Sequence, residues 1–236
     1  MDYKTVTLDF WDTLAFYPMT DEIFMERVAH ASDIFRKYDI GYETSIMLMR
    51  SIYENFENLW HNEFRTPTTP ESFRFIEKII GYEFDKKHFD ELVRYNEQLI
   101  TEKYFVLRRE VGEAIIKLAE KYRLVIISDT GFEPGRELRK ALEKHGLMKY
   151  ITEGVFSDET GFSKPDIRAF QKASEISRTA LSEMIHVGDR ELKDIRGASD
   201  AGMGTILFTG FRPDDKDSTT ADHTAESWDE VLRILL

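Results

Sequence analysis

Apolar and polar positions along the chain follow two different rhythms. From Lys4 to Leu8 a short apolar run reads as a buried strand that ends on Asp9. From Thr20 the period becomes three to four. Ile23, Phe24, Val28, Ala31, Ile34, Phe35 and Tyr38 share one face of a helix capped near Thr20 or Asp21, and Gly41 marks its end. Ile46, Met49, Ile52, Tyr53, Phe56, Leu59 and Trp60 repeat that spacing. A third helix is expected with Thr69 as its cap and Pro70 in its first turn, burying Phe73, Ile76, Ile79 and Ile80. A fourth carries Phe89, Leu92, Val93, Asn96, Leu99 and Ile100. Four amphipathic helices with no strand between them predict a small bundle.

After about residue 105 strand and helix alternate. "RLVIIS", "GVFS", "EMIHVGD" and "GTILFTG" are apolar runs separated by helical segments around 109–121, 134–146, 165–178 and 190–201. This alternation predicts an α/β fold with a parallel sheet covered by helices on both faces. The strand at Lys4–Leu8 belongs to that sheet, so the bundle is an insertion after the first strand. The polar stretch "RPDDKDSTTADH" is expected to be a solvated loop.

Composition narrows the function. At 236 residues, 42% hydrophobic and 32% charged, the chain has enough apolar material for a sizeable core. It contains no cysteine, which excludes disulfides, thiol chemistry and cysteine-bound zinc or iron–sulfur sites. His30, His61, His88, His145, His186 and His223 are scattered, with no pair at helical metal-ligand spacing. A net charge of -12 argues against nucleic acid or an anionic membrane as partner. No apolar run is long enough to span a membrane and the start of the chain lacks a signal-peptide pattern, so a cytoplasmic address is expected; a monomer or a homodimer is the expected assembly.

In a parallel sheet, ligands bind beyond the carboxyl ends of the strands. The residues that follow the apolar runs are Asp9, Ser128 and Gly188-Asp189, and Lys164 stands near the start of the helix after "GVFS". Taken singly each has a plain reading. Asp9 is a turn former, Ser128 a strand-end hydroxyl, "GD" a turn and Asp194 a solvated helix position, while Ser163 caps a helix and leaves Lys164 on the surface. Taken together they place a carboxylate, a hydroxyl, an ammonium and a second carboxylate in one crevice.

In order, "DFWDTL", "IISDT", "SKPD" and "GDRELKD" resemble the four motifs of the haloacid dehalogenase-like hydrolases, over residues 4 to about 208. The bundle falls where that family carries a cap. The resemblance implies a Rossmann-like core at 1–17 and 105–236, a helical cap at 18–104, Mg2+ as cofactor, and phosphatase activity on a small phosphorylated metabolite through an aspartyl-phosphate on Asp9. The implied catalytic residues are Asp9, Lys164, Ser128 and Asp12, and Ser128, Asp129, Thr130 and Lys164 would bind phosphate. Asp9, Asp189, the Trp11 carbonyl and Asp194 would serve the metal, Asp194 by orienting Lys164 or a metal-bound water. The chemistry is coherent, because a carboxylate that attacks a phosphoryl group needs positive charge from a lysine and a hard divalent ion.

One position departs from the pattern. Family phosphatases carry an Asp two residues after the nucleophile as general acid and base, and here that residue is Trp11. Such assistance is worth roughly 10²- to 10⁴-fold, and Asp12 is the displaced carboxylate that would have to supply it. An aromatic residue there is also found in the family's metal-free 2-haloacid dehalogenases. Against that reading stand Asp189, an extra anion that needs a cation, and the absence of an Asn beside Ser128. A third reading is a catalytically impaired binding protein on the same fold. Tyr53, Phe56, Trp60, Phe73 and Tyr95 are expected mostly in the bundle core. Phe16, Tyr17 and Pro18 are the expected substrate contacts.

Overall fold

The computed structural model describes residues 2–16 and 21–236; the expected contacts at Tyr17 and Pro18 and the helix cap at Thr20 lie outside them. Among the described residues six strands form one parallel sheet: β1 (Thr5–Leu8), β4 (Arg123–Ser128), β5 (Glu153–Phe156), β6 (Met184–Gly188), β7 (Gly204–Phe208) and β8 (His223–Ala225). Their order is β5-β4-β1-β6-β7-β8. Leu8 is level with Ile126 on one side and Val187 on the other, so the chain leaves β1 between the ends of β4 and β6. The central strands are buried on both faces, which explains their continuous apolar runs. Val6, Leu8, Leu124, Ile126, Ile185 and Val187 pack on one face, and Val125, Ile127 and Val155 on the other.

A two-stranded antiparallel ribbon, β2 (Ala15–Phe16) against β3 (Val106–Leu107), flanks the helical insertion. The insertion contains α1 (Asp21–Phe35), α2 (Tyr42–Glu63), α3 (Thr69–Ile80) and α4 (Lys86–Leu99), with a π-helical turn at Ile100–Tyr104. Val28, Phe35, Met49, Ile52, Phe73, Ile76 and Leu92 form its apolar core. The start of α3 differs from expectation by one residue. Thr68 is the cap, its side chain accepting from the Glu71 amide at 3.3 Å while its own amide donates to Glu71 Oε2 at 2.8 Å. Thr69 instead donates its hydroxyl to the Phe132 carbonyl, 2.7 Å away. Ile79, expected inside, is 50% exposed because it lies past the edge of the buried stripe.

Helices α5 (Arg109–Ala119), α6 (Gly135–Lys144), α7 (Ser157–Thr160), α8 (Ile167–Ser177), α9 (Gly197–Asp200) and α10 (Trp228–Leu235) complete the fold. Two segments depart from the sequence pattern. The helix expected at 190–201 is a π-helical turn, Glu191–Arg196, followed by α9. The loop expected at 212–223 ends in edge strand β8, whose exposed His223 and Thr224 hide the strand signal.

Candidate active site

The carboxyl ends of β1, β4 and β6 are neighbours, and their ordering assembles the site. Asp9 keeps the last rung of the sheet, its amide donating to the Val187 carbonyl at 2.9 Å. The chain then turns tightly, with Leu14 and Ala15 amides on the Phe10 carbonyl and Asp12 at φ 56 in the left-handed region. Asp tolerates that conformation better than bulkier residues do. Trp11 packs both against the main core and against Ile23, Leu99 and Ile100 at the base of the helical insertion.

Lys164 is 2% exposed, so the surface position expected of a plain helix start is wrong. Helix α8 begins at Ile167 and is capped by Asp166, which accepts from the Arg168 amide at 2.9 Å; Ser163 is therefore no cap. The Lys164 ammonium donates to Asp9 Oδ1, and to Asp194 Oδ1 at 2.5 Å. Asp194 also accepts from the Arg190 amide at 2.9 Å, and its Oδ1 lies 3.0 Å from His186 Nε2. His186 Nδ1 in turn faces Thr7 Oγ1 at 2.8 Å. The network favours the tautomer with hydrogen on Nε2, Thr7 donating to Nδ1. Gly188 makes room for this arrangement, because a Cβ there would overlap the Asp194 carboxylate.

The electrostatics follow from burial with too little positive charge. Burial pushes the Asp9 carboxyl up to about 7, opposed by Lys164 and reinforced by Asp194. Burial, then Asp9 and Asp194, push Asp189 up to about 8. Asp194 goes the other way: burial opposes it, but Lys164 and His186 hold it well below the usual carboxylate range. Burial works to lower Lys164, and Asp194, Asp9 and Asp129 outweigh it and raise it.

Oxygens of Asp9, Asp189 and Asp194 lie within 4.8 Å of one another. Asp189 Oδ2 is buried without a hydrogen bond among the described residues, with Arg190 Nε 3.3 Å away in an ion pair. A compact set of hard oxygens, one of them without a hydrogen bond, on carboxyls of which two are raised first by burial and then by neighbouring carboxylates, fits a small divalent cation such as Mg2+.

The other expected site residues are less uniform. Ser128 is buried at the end of β4, its hydroxyl in a long 3.3 Å contact with the Asp129 carbonyl. Asp129 Oδ1 accepts from the Lys164 amide at 2.9 Å, while its buried Oδ2 stands 3.3 Å from Lys193 Nζ. Thr130 is engaged elsewhere, its hydroxyl 3.0 Å from both Ser157 Oγ and the Asp158 amide. Asp12 falls outside the cluster of three carboxylates; burial raises it, and Arg190 and Arg212 oppose the shift. Sequence reasoning missed Thr7 and His186, although a histidine inside the apolar run "EMIHVG" was a signal. It also missed the buried ion pair between Arg27 of α1 and Glu133 after β4, for which no local signal exists.

The family described as haloacid dehalogenase-like hydrolase matches residues 42–208. Haloacid dehalogenase-like hydrolase domain-containing protein 3 of Bos taurus is 30% identical over 129 residues, covering 53% of this chain and 51% of that protein. The glyceraldehyde 3-phosphate phosphatase of Methanothermobacter thermautotrophicus is 31% identical over 161 residues, covering 59% of this chain and 69% of that protein. The match thus spans about half of the bovine relative's length. The crystal structure of a HAD phosphatase from Thermococcus onnurineus superposes with a TM-score of 0.67 at 20% identity, covering 98% of this chain and 97% of that one. At that identity the superposition shows the fold alone.

Proposed function

Because the chain belongs to the haloacid dehalogenase-like hydrolase family, we propose that it is a phosphatase that cleaves a small phosphorylated metabolite with Asp9 as nucleophile. The observation that carries this reading is the Asp9–Lys164–Asp194 chain of contacts beside Asp189. The phosphatase relative named above supports a small phosphate ester as substrate. Among the described residues no helix is long and apolar enough to cross a membrane.

In this reading an Asp9 oxygen forms a bond to phosphorus as the ester P–O bond breaks, and water then hydrolyses the aspartyl-phosphate on Asp9. Lys164 neutralises Asp9 and binds a phosphoryl oxygen as a point charge. The Ser128 hydroxyl and the main-chain amide of Asp129 donate to the remaining oxygens, while the Thr130 amide is held by the Ser157 hydroxyl at 2.8 Å. Asp194, itself held by His186 and the Arg190 amide, fixes the ammonium in place. Asp9, Asp189 and the Trp11 carbonyl would hold Mg2+, which supplies charge neutralisation for the phosphoryl group. Asp194 is a positioning group in this scheme, because both of its oxygens already have partners.

Trp11 carries no proton to the leaving oxygen. Asp12 takes that role when it turns inward from Arg190 and Arg212, and turnover is correspondingly slow. Metal-free dehalogenation is disfavoured by Asp189, a second buried carboxyl clustered with Asp9 that a divalent cation would neutralise. The test is turnover of an aryl phosphate with Mg2+ by wild type and Asp9→Asn. Hydrolysis lost in the variant supports the reading, and equal background rates in both reject catalysis.

A further inference from the structure

The lysine on which the proposed chemistry depends sits in a loop, not on a helix or strand. Ser163 and Lys164 lie between α7, which ends at Thr160, and α8, which begins at Ile167. A buried ammonium held between two carboxylates needs a fixed main chain behind it, because its four-carbon stem is otherwise free to swing. On the core side the Lys164 amide donates to Asp129 Oδ1 at 2.9 Å. The Ser163 hydroxyl gives no help, being buried without a hydrogen bond among the described residues.

The Ser163 carbonyl accepts from the Asp166 amide at 2.9 Å, and further support comes from the inserted helices. The indole N–H of Trp60, in the last turn of α2, donates to the Lys164 carbonyl at 2.9 Å. The carbonyl of Phe64, one residue past that helix, accepts from the Ser163 amide at 2.7 Å. The two bonds grip the Ser163–Lys164 pair from both ends. Phe64 adopts φ 47, a left-handed conformation that a bulky residue holds only when its surroundings fix it. Trp60 is itself fixed, buried to 5% exposure with the Lys193 ammonium 4.1 Å above its ring. Thr66 and Ser157 extend the contact with a hydroxyl pair at 2.5 Å.

We propose that Trp60 is a positioning residue for Lys164, the end of α2 clasping the Ser163–Lys164 main chain so that the ammonium reaches Asp9 and Asp194 only while the helical cap is seated on the core. The inference rests on the phosphatase reading for its consequence, since it makes the electrostatics of the nucleophile conditional on the cap. It differs from ordinary docking, in which losing a contact would loosen the cap as a whole.

The experiment is Trp60→Phe in the full chain, which keeps the buried ring and removes the N–H. Loss of one well-formed hydrogen bond at a positioning contact should lower kcat on an aryl phosphate about three- to tenfold while KM changes by less than about twofold. Hydrogen exchange at the Ser163 amide should accelerate, and exchange at the Met49 amide in the cap core should not. Unchanged Ser163 protection overturns the proposal. So does faster Ser163 exchange with unaltered kcat, and so does equal acceleration at Met49, which would mean a loosened cap. If wild type shows no Asp9-dependent turnover, the phosphatase reading falls, and Ser163 exchange alone decides the clasp. Should Trp60→Phe not fold, Trp60→Tyr is read by the same measurements.

Discussion

The rim of the sheet and the inserted bundle are stabilised in opposite ways. At the rim, each carboxylate of the cluster depends on a charged neighbour: Asp9 and Asp194 share Lys164, while Asp189 leans on Arg190. In the bundle, apolar side chains from α1, α2, α3 and α4 fill most of the interior, with the buried contact of Arg27 to Asn96 and the capping box of α3 among its polar features. The difference teaches where each region tolerates change. The bundle's energy is spread over many contacts, whereas the rim is a coupled set in which removing one charge strands the others. Where the two meet, the bundle borrows the rim's device, and Arg27 of α1 forms a buried pair with Glu133 while stacking over Phe132, itself packed in the bundle core.

The largest effect is expected from Lys164→Met. The variant strands Asp9 and Asp194 without their shared cation, which for a buried pair costs about 3–5 kcal/mol in chemical denaturation. Turnover should fall at least about a hundredfold, a loss that activity assays on the refolded variant would check. If Lys164→Met folds with wild-type stability, the rim is not a coupled set and the contrast fails.

Next in size is the interface pair. Arg27→Met leaves Glu133 buried and unpaired and should destabilise by about 3 kcal/mol. Adding Glu133→Leu should recover part of that loss, because it removes the stranded charge but not the Asn96 oxygens that lose Arg27 as their donor. A double variant no more stable than the single one would show that the pair does more than hold the two layers together.

The smallest effect belongs to the bundle. Thr68→Ala removes the capping box of α3 and should lower stability by about 1 kcal/mol with unchanged kcat, since the cap acts on one helix end only. The same substitution at Thr69, by contrast, would break the hydroxyl contact to the Phe132 carbonyl.

The fold and the site differ in how far they could be read from residues alone. Strands β1, β4, β6 and β7 announce themselves as short apolar runs, and Asp9, Ser128 and Asp189 lie within one residue of their ends, so local sequence sets their height on the sheet. Lys164 and Asp194 were legible through short motifs. What remained hidden depends on register between elements far apart in the chain. The hydrogen bond from Trp60 to the Lys164 carbonyl joins residues 104 positions apart, and nothing in the apolar stripe of α2 distinguishes a core indole from one with a partner. Strand β8 has too few buried residues to alternate, and the cap of α3 was ambiguous because two threonines precede Pro70. Phe73 fills the bundle core as its spacing indicated, whereas Tyr53 is 40% exposed.

The central claim, that the crowded carboxylates of Asp9, Asp189 and Asp194 require a divalent ion as well as Lys164, has a pH signature. The folded-state values of Asp9 and Asp189, about 7 and about 8, lie above an unfolded carboxylate near 4. Their contribution without metal is therefore favourable at low pH and is lost as pH rises through that window, so stabilisation by Mg2+ should be greater at pH 8 than at pH 6. The most direct measurement is calorimetric titration of the protein with Mg2+ at pH 7 in two buffers of different ionisation enthalpy. The account predicts saturable binding that releases roughly one proton per ion and is lost in Asp189→Asn. Binding with no proton release, or binding that Asp189→Asn leaves intact, would contradict it.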